Sequence, residues 1–345
     1  MKDNPLRQSR FISFCIFLLN SSIWLFGACE SPVSRETIRI EGRQILLNDN
    51  PFVVKGICYN PVPKGSNDRV FDQLDQDLAL MKEAGINTIR VYSPIQEQWV
   101  LDEFAKQNLK VIIGFGYNQE GVYDILSGSF IDYIEMYRDH PAILMWELGN
   151  EYNYHPQWFD GDMKNWYRAM NDAAGLIHEK DPSRPVTTAH GELPDSLALS
   201  MSPNIDVWGM NVYRWDDPTD IFQEWKEISD KPMYLSEAGG DSYMTISKLG
   251  YEAGPNQKAQ ADATKNILES VFNHRDICFG VTLFAFNDEL WKAGNPDTLD
   301  PGGWAPNSSG VPYDGSPNEE YWGIVDIDRN KKEAFQVVKE IYSKN

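Results

Sequence analysis

Positive charge is in short supply in this 345-residue chain: 31 Lys and Arg stand against 51 Asp and Glu, a formal net charge of −20. A surface of that sign repels phosphate, which argues against a nucleic-acid partner. Cysteine is scarce too, with four residues in all. Two of these, Cys15 and Cys29, fall at the start, so the body keeps only Cys58 and Cys278, far apart and without CxxC or Cys/His spacing. That spacing argues against zinc. The two thiols read as small buried hydrophobes, with a disulfide as the alternative in an oxidising compartment. No GxGxxG follows the first strand, and the sequence offers no phosphate loop, no metal cluster and no setting for a Ser/His/Asp triad. Neither a metal nor a cofactor is expected.

Outside the first 29 residues there is no long hydrophobic run. Within them, Lys2, Arg7 and Arg10 precede FISFCIFLLNSSIWLFGA, the plan of an export signal. The exit, LFGAC, resembles a bacterial lipobox, which implies lipidation of Cys29 and a membrane contact through that anchor. Phe26 is an unusual occupant three residues before the cysteine, so an uncleaved anchor or ordinary signal cleavage stands as the alternative. The expected location is the cell envelope, periplasm or outer-membrane surface. Residues 1–29 are thus read as signal, 30–44 as a polar tether and the start of a hairpin, and 45–345 as one domain.

The body alternates strand and helix. FVVKGI, NTIRVY, LKVIIGF, AILMWELG, PVTTAH, DVWGMNVY, KPMYLSE and FGVTLFAF are apolar along their length, as strands covered on both faces must be. Between them lie amphipathic helices, such as the stripe Phe71, Leu74, Leu78, Met81 that stops at Gly85. Only the segment after the fifth strand, DSLALS, is a stub. Eight strands and their helices predict an α/β fold: a single (β/α)8 TIM barrel, with a short N-terminal β-hairpin around Asn48-Asp49-Asn50 beneath it.

In such a barrel the chemistry is carried where strands end. Strand four ends in Asn150-Glu151 and strand seven in Ser236-Glu237. Other strand ends offer Tyr59, Arg90, Tyr92, His190, Asn211 and Tyr213, and strand eight runs into Asn287-Asp288-Glu289-Leu290-Trp291. Two carboxylates facing one another across a mouth suit glycosidic bond cleavage, one as proton donor and one as nucleophile. Glu147, before the end of its strand, reads as a structural carboxylate paired inside the barrel. Aromatic residues are plentiful, 11 Trp, 16 Tyr and 16 Phe, and cluster with polar residues in YNYHPQWFD and NDELWKAG. Rings so placed suit stacking on sugar faces; packing under long loops is the alternative. The Gly- and Pro-rich stretch from Asn287 to Gly323, with Trp304, Tyr313, Tyr321 and Trp322, is expected to wall the cleft.

WELGNEYN, DVWGMNVYRW and KPMYLSEAGGD, with NPFVVKGICYN and MKEAGINTIRVYS ahead of them, resemble the barrel of the clan A retaining β-glycosidases, above all that of glycoside hydrolase family 2, over roughly residues 45–345. The resemblance implies Glu151 as acid/base and Glu237 as nucleophile. It further implies that Asn150 meets the sugar 2-hydroxyl, Tyr213 orients Glu237, Arg90 sits beneath the nucleophile, and His190 and Trp291 contact sugar; Tyr59 joins the substrate-binding set. The jelly-roll and immunoglobulin-like domains that precede the barrel in that family are not found here. KGICYNP, INTIRVYS and YWGIVDID also resemble β-1,3-glucanases and glucanosyltransferases of the clan, and WELGNE the β-mannanases. The expected function is hydrolysis of a β-glucan, β-1,3-linked by preference, with an oligo- or polysaccharide as partner. The alternatives are a glucanosyltransferase, a β-mannanase, or a non-catalytic glycan-binding lipoprotein.

Overall fold

The computed structural model describes residues 36–117, 122–214, 217–248, 250–301 and 318–345. The signal, Cys29, and the loop aromatics Trp304 and Tyr313 lie outside these residues. Three short strands come first: β1 (Ile38–Glu41), β2 (Gln44–Leu47) and β3 (Asn50–Pro51), paired antiparallel in that order. The predicted hairpin is therefore a three-stranded meander with two turns. Gly42 at φ 59° makes the first turn, and Asn48 and Asp49, at φ 51° and 63°, make the second.

Eight β/α units follow. They are β4 (Val54–Cys58), α1 (Leu74–Ala84), β5 (Thr88–Val91), α2 (Gln98–Lys106), β6 (Lys110–Phe115), α3 (Phe130–Tyr137), β7 (Ile143–Asn150) and α4 (Met163–Lys180). The second half comprises β8 (Val186–Gly191), α5 (Ser196–Met201), β9 (Val207–Asn211), α6 (Thr219–Ile228) and β10 (Met233–Ala238). After a two-stranded excursion, β11 (Tyr243–Met244) and β12 (Gly254–Pro255), come α7 (Gln257–Asn273), β13 (Cys278–Leu283) and α8 (Glu333–Tyr342). The barrel closes in the order β10-β13-β4-β5-β6-β7-β8-β9, with parallel neighbours throughout. This is the expected (β/α)8 barrel.

Each helix buries one stripe because its apolar residues recur at helical spacing. In α1, Leu74, Leu78 and Met81 face the strands, and Gly85 ends the helix at φ 76°, where a side chain is disfavoured. The inside of the barrel is layered. At its lower end, Ile45 of the meander packs with Val54, Ile112, Met145, Val207, Tyr234 and Phe279, supported by Ile38 and Ile40. The meander is thus a plug for the bottom, and the polar interior begins above it. Cys58 and Cys278 are both free and buried, and burial pushes their thiols up to about 11 and about 12. They act as small hydrophobes.

Candidate active site

The lowest polar layer is a buried ion pair. Arg90 of β5 donates through Nε to both carboxylate oxygens of Glu147, at 3.0 and 2.9 Å, and through Nη2 to Oε1 at 2.8 Å. Tyr234 closes the pair from below, its hydroxyl donating to Glu147 Oε2 at 3.0 Å. Both charges are sealed from solvent, and they are tolerable there because nearly every acceptor and donor is used. Burial alone would lower the Arg90 pKa, but the carboxylates of Glu147 and Glu237 outweigh it and hold the cation well above its ordinary value. Glu147 is therefore the structural carboxylate that its position before the strand end predicts.

Glu237 occupies the next layer. Its Oε1 accepts from Arg90 Nη1 at 2.7 Å and from the Tyr92 hydroxyl at 2.8 Å; its Oε2 accepts from the Tyr213 hydroxyl at 2.7 Å. One cation and two phenols thus fix the side chain in place. The β9–β10 register slips between Leu235 and Glu237, which turns the carboxylate into the mouth at the strand end.

Glu151 arrives by a similar device. The β7–β8 register slips between Glu147 and Asn150. Gly149 adopts φ 71° there, and a Cβ on it would lie 2.6 Å from the Trp166 ring. The next turn holds Glu151 itself at φ 56°, a left-handed conformation costing a non-glycine residue about 1–2 kcal/mol. WELGNE ends its strand as it does because Gly149 permits the bulge that presents Asn150 and Glu151 to the pocket. Asn211 of β9 then bridges them, donating through Nδ2 to Asn150 Oδ1 at 3.0 Å and to Glu151 Oε1 at 3.1 Å. Ser236 in turn fixes Asn211, its hydroxyl donating to Oδ1 at 2.7 Å. Burial first, and the Glu237 charge second, push the Glu151 carboxyl up to about 7, against the smaller opposing effect of Asn211. Glu151 is thus a carboxyl that keeps its proton close to neutrality.

The oxygen of Asn150 is fully engaged, since Arg90 Nη2 also donates to it at 2.8 Å. Its amide NH2 is what remains to offer. A cavity of about 230 Å3 opens beside these groups, lined by Tyr92, Asn150, Glu151, Tyr152, His155 and Trp158 among others. His155 and Trp158 stack at 4.0 Å and 14°, and Trp158 is half exposed. Trp322 packs edge-on against Tyr213 at 5.2 Å, so the end of the long loop after β13 buttresses the residue that holds Glu237.

Two expected substrate contacts are corrected. Tyr59 follows Cys58 and points the other way: it is fully buried between Phe71, Phe104 and Phe286, and its hydroxyl donates to Asp77 of α1 at 2.8 Å. Cys58 is the residue facing the site, with its sulfur 3.8 Å from Arg90 Nη1. His190 likewise faces the helix layer, its ring 6.5 Å from Tyr167 of α4 and 5.9 Å from Trp208. Alternation along a strand sends every second side chain outward, and one strand's sequence does not say which parity is inward when both faces are buried. Trp291 sits half-buried on a short turn, Leu290–Ala293, with Lys292 Nζ 5.8 Å from its ring. Asn211 and Tyr92 were visible as strand ends, but nothing in the sequence said that they reach the carboxylates.

Residues 38–262 match the model of the family described as glycosyl hydrolases family 2, TIM barrel domain. Among curated relatives, a beta-glucuronidase of Paenibacillus borealis is 26% identical over 331 residues, covering 83% of this chain and 51% of that protein. A probable beta-glucosidase of Aspergillus flavus is 22% identical over 311 residues, covering 83% of this chain and 43% of its own length. Among solved structures, a GH2 beta-galacturonidase from Eisenbergiella tayi bound to galacturonate shares the fold at TM-score 0.66 and 24% identity, covering 90% of this chain and 54% of that one. The chain spans about half the length of the curated relatives it matches, or less.

Proposed function

The chain belongs to the glycosyl hydrolases family 2 TIM-barrel family, and from that premise we propose that it is a retaining β-glycoside hydrolase working by double displacement. The observation that carries the proposal is a pair of strand-end glutamates held differently, Glu237 by one cation and two phenols and Glu151, among the described residues, by the Asn211 amide alone. Glu151, protonated up to about pH 7, delivers its proton to the departing glycosidic oxygen. Glu237, as carboxylate, attacks the anomeric carbon. Its Oε1 is held twice, by Arg90 and Tyr92, which leaves Oε2 beside the single neutral donor of Tyr213 as the attacking oxygen. The C–O bond to the leaving group breaks as the bond to Glu237 forms.

Once esterified, Glu237 loses its charge and with it the larger of the two charges that raise Glu151, Glu319 being the other. The Glu151 carboxyl then becomes the better base, takes a proton from water, and the hydroxide displaces Glu237 with a second inversion. The Asn150 amide, pinned through its oxygen by Arg90 and Asn211, would donate to a sugar hydroxyl beside the reacting carbon. Such a contact accelerates the reaction to the extent that it tightens in the transition state.

The β-1,3-glucan, transglycosylase and mannanase readings rest on sequence motifs alone, and none of the relatives named above carries those words in its name. The cell-envelope location and a lipid at Cys29 are proposals from residues 1–29 alone; the mass of the exported protein, with and without Cys29→Ser, tests them. The function itself is tested by proton NMR of the first product. Retention of the anomeric configuration is expected; inverted product overturns double displacement, and no hydrolysis of any β-glycoside overturns the whole proposal.

A further inference from the structure

We infer that the site selects an uncharged sugar and rejects a uronic acid, although several similar proteins are named for uronides. This rests on the hydrolase reading above and concerns only the sugar it accepts. A sugar carboxylate is bound most strongly by a cation left over at the mouth, because charge-assisted hydrogen bonds are about twice as strong as neutral ones. Arg90 is fully committed to Glu147, Glu237 and Asn150. The other buried cation beside the site is Lys292, whose Nζ lies 4.1 Å over the Phe284 ring, next to Tyr213. It is held between Glu289 Oε2 and Glu319 Oε2, both at 3.1 Å, and their charges hold its pKa above the ordinary value despite burial. Glu237 acts on the same ammonium, and Glu319 raises Glu151, so this cluster shares the field of the reacting groups.

Among the described residues, other basic side chains on the loops after the strands are engaged as well, except Lys64 after β4, which is exposed on the surface. Lys332 pairs with Asp288, Arg329 with Asp77, and Arg214 with Glu192. From Asn287 to Gly323 the sequence holds one basic residue, Lys292, against seven acidic ones. With Glu151 protonated, as its acid role requires, the cluster of Glu147, Glu237, Glu289 and Glu319 with Arg90 and Lys292 carries four negative charges and two positive. A sugar carboxylate entering it meets like charge, which costs several kcal/mol, whereas a neutral hydroxymethyl group does not. Glu289 and Glu319 are thus specificity-determining: they occupy the lysine that would otherwise pair with a uronate.

The test compares matched aryl β-glycosides and oligosaccharides of glucose, galactose and mannose with those of glucuronic and galacturonic acid, using the full chain. At least one neutral series is expected to exceed its uronic counterpart in kcat/KM by about 100-fold or more. Glu319→Gln, at the more exposed partner, and the Glu289→Gln/Glu319→Gln double variant are expected to narrow that ratio by about tenfold or more, with thermal melts checking that each is folded. Wild-type turnover of a uronide as fast as its neutral counterpart overturns the inference and leaves the hydrolase reading standing. An unchanged ratio in the folded single variant overturns the role of the carboxylates. Turnover of neither series overturns the hydrolase reading, and this inference with it.

Discussion

Arg90 Nη1 donates to Glu237 Oε1 at 2.7 Å while the rest of the same guanidinium grips Glu147 and Asn150. One planar cation therefore joins the structural floor, the proposed nucleophile and the proposed sugar-binding amide. Its removal is expected to do two separable things. Arg90→Met leaves Glu147 buried without its partner, a loss of about 3–5 kcal/mol in urea unfolding. Arg90→Lys keeps a charge but not the fork, so a smaller loss of stability with a large fall in kcat is expected.

The acid limb of catalysis should show itself in pH. With Glu151 held up to about 7, kcat/KM is expected to fall as pH rises through that value. In Glu237→Gln, the second cause of the shift disappears while burial, the first, remains. The Glu151 carboxyl, followed by NMR, should then titrate below 7 but above an ordinary glutamate. The stability sign follows from the raised value: the stabilisation from a protonated Glu151 is complete below the unfolded pKa of about 4.3 and is lost as pH climbs through 7. Wild type should therefore lose Tm relative to Glu151→Gln between pH 4.5 and 8; a constant difference would contradict the shift.

Replacing the proton donor should punish poor leaving groups. Glu151→Gln is expected to lose about 10²–10⁴-fold on natural glycosides and much less on dinitrophenyl glycosides. Equal losses on both, measured as kcat/KM, would remove Glu151 from the acid role.

The two phenols on Glu237 are positioning groups, and their loss should leave the fold intact. Tyr213→Phe and Tyr92→Phe each remove one hydrogen bond to a carboxylate, a term of about 1.5–3 kcal/mol and so about 10–100-fold, expected in kcat more than in KM. A circular-dichroism melt within a few degrees of wild type separates this from unfolding.

Much of the architecture was legible because its signals are local. Continuous apolar strands, helical stripes and their stops at residues such as Gly85 made the barrel readable, and Asn150-Glu151 and Ser236-Glu237 stood out as strand ends. What stayed hidden is relational. Whether Tyr59 or Cys58 faces inward depends on register and strand tilt, and both are apolar enough for either layer. The resemblance made His190 a sugar contact, yet the parity of β8 turns it outward, against Tyr167 of α4 and Trp208 of β9. The commitment of Lys292 to two carboxylates needs Glu319, 27 residues on, to fold back onto the site.

The central claim, that Glu237 is the nucleophile and Glu151 its partner, is tested most directly by trapping the covalent intermediate. A 2-deoxy-2-fluoro-β-glycosyl fluoride of the neutral sugar that turns over fastest would be incubated with the protein and the labelled peptide sequenced by mass spectrometry. One sugar attached at Glu237, accumulating with loss of activity and absent in Glu237→Gln, is the expected result. Label on Glu151, on Glu147, or on no residue while the substrate is consumed, would contradict it.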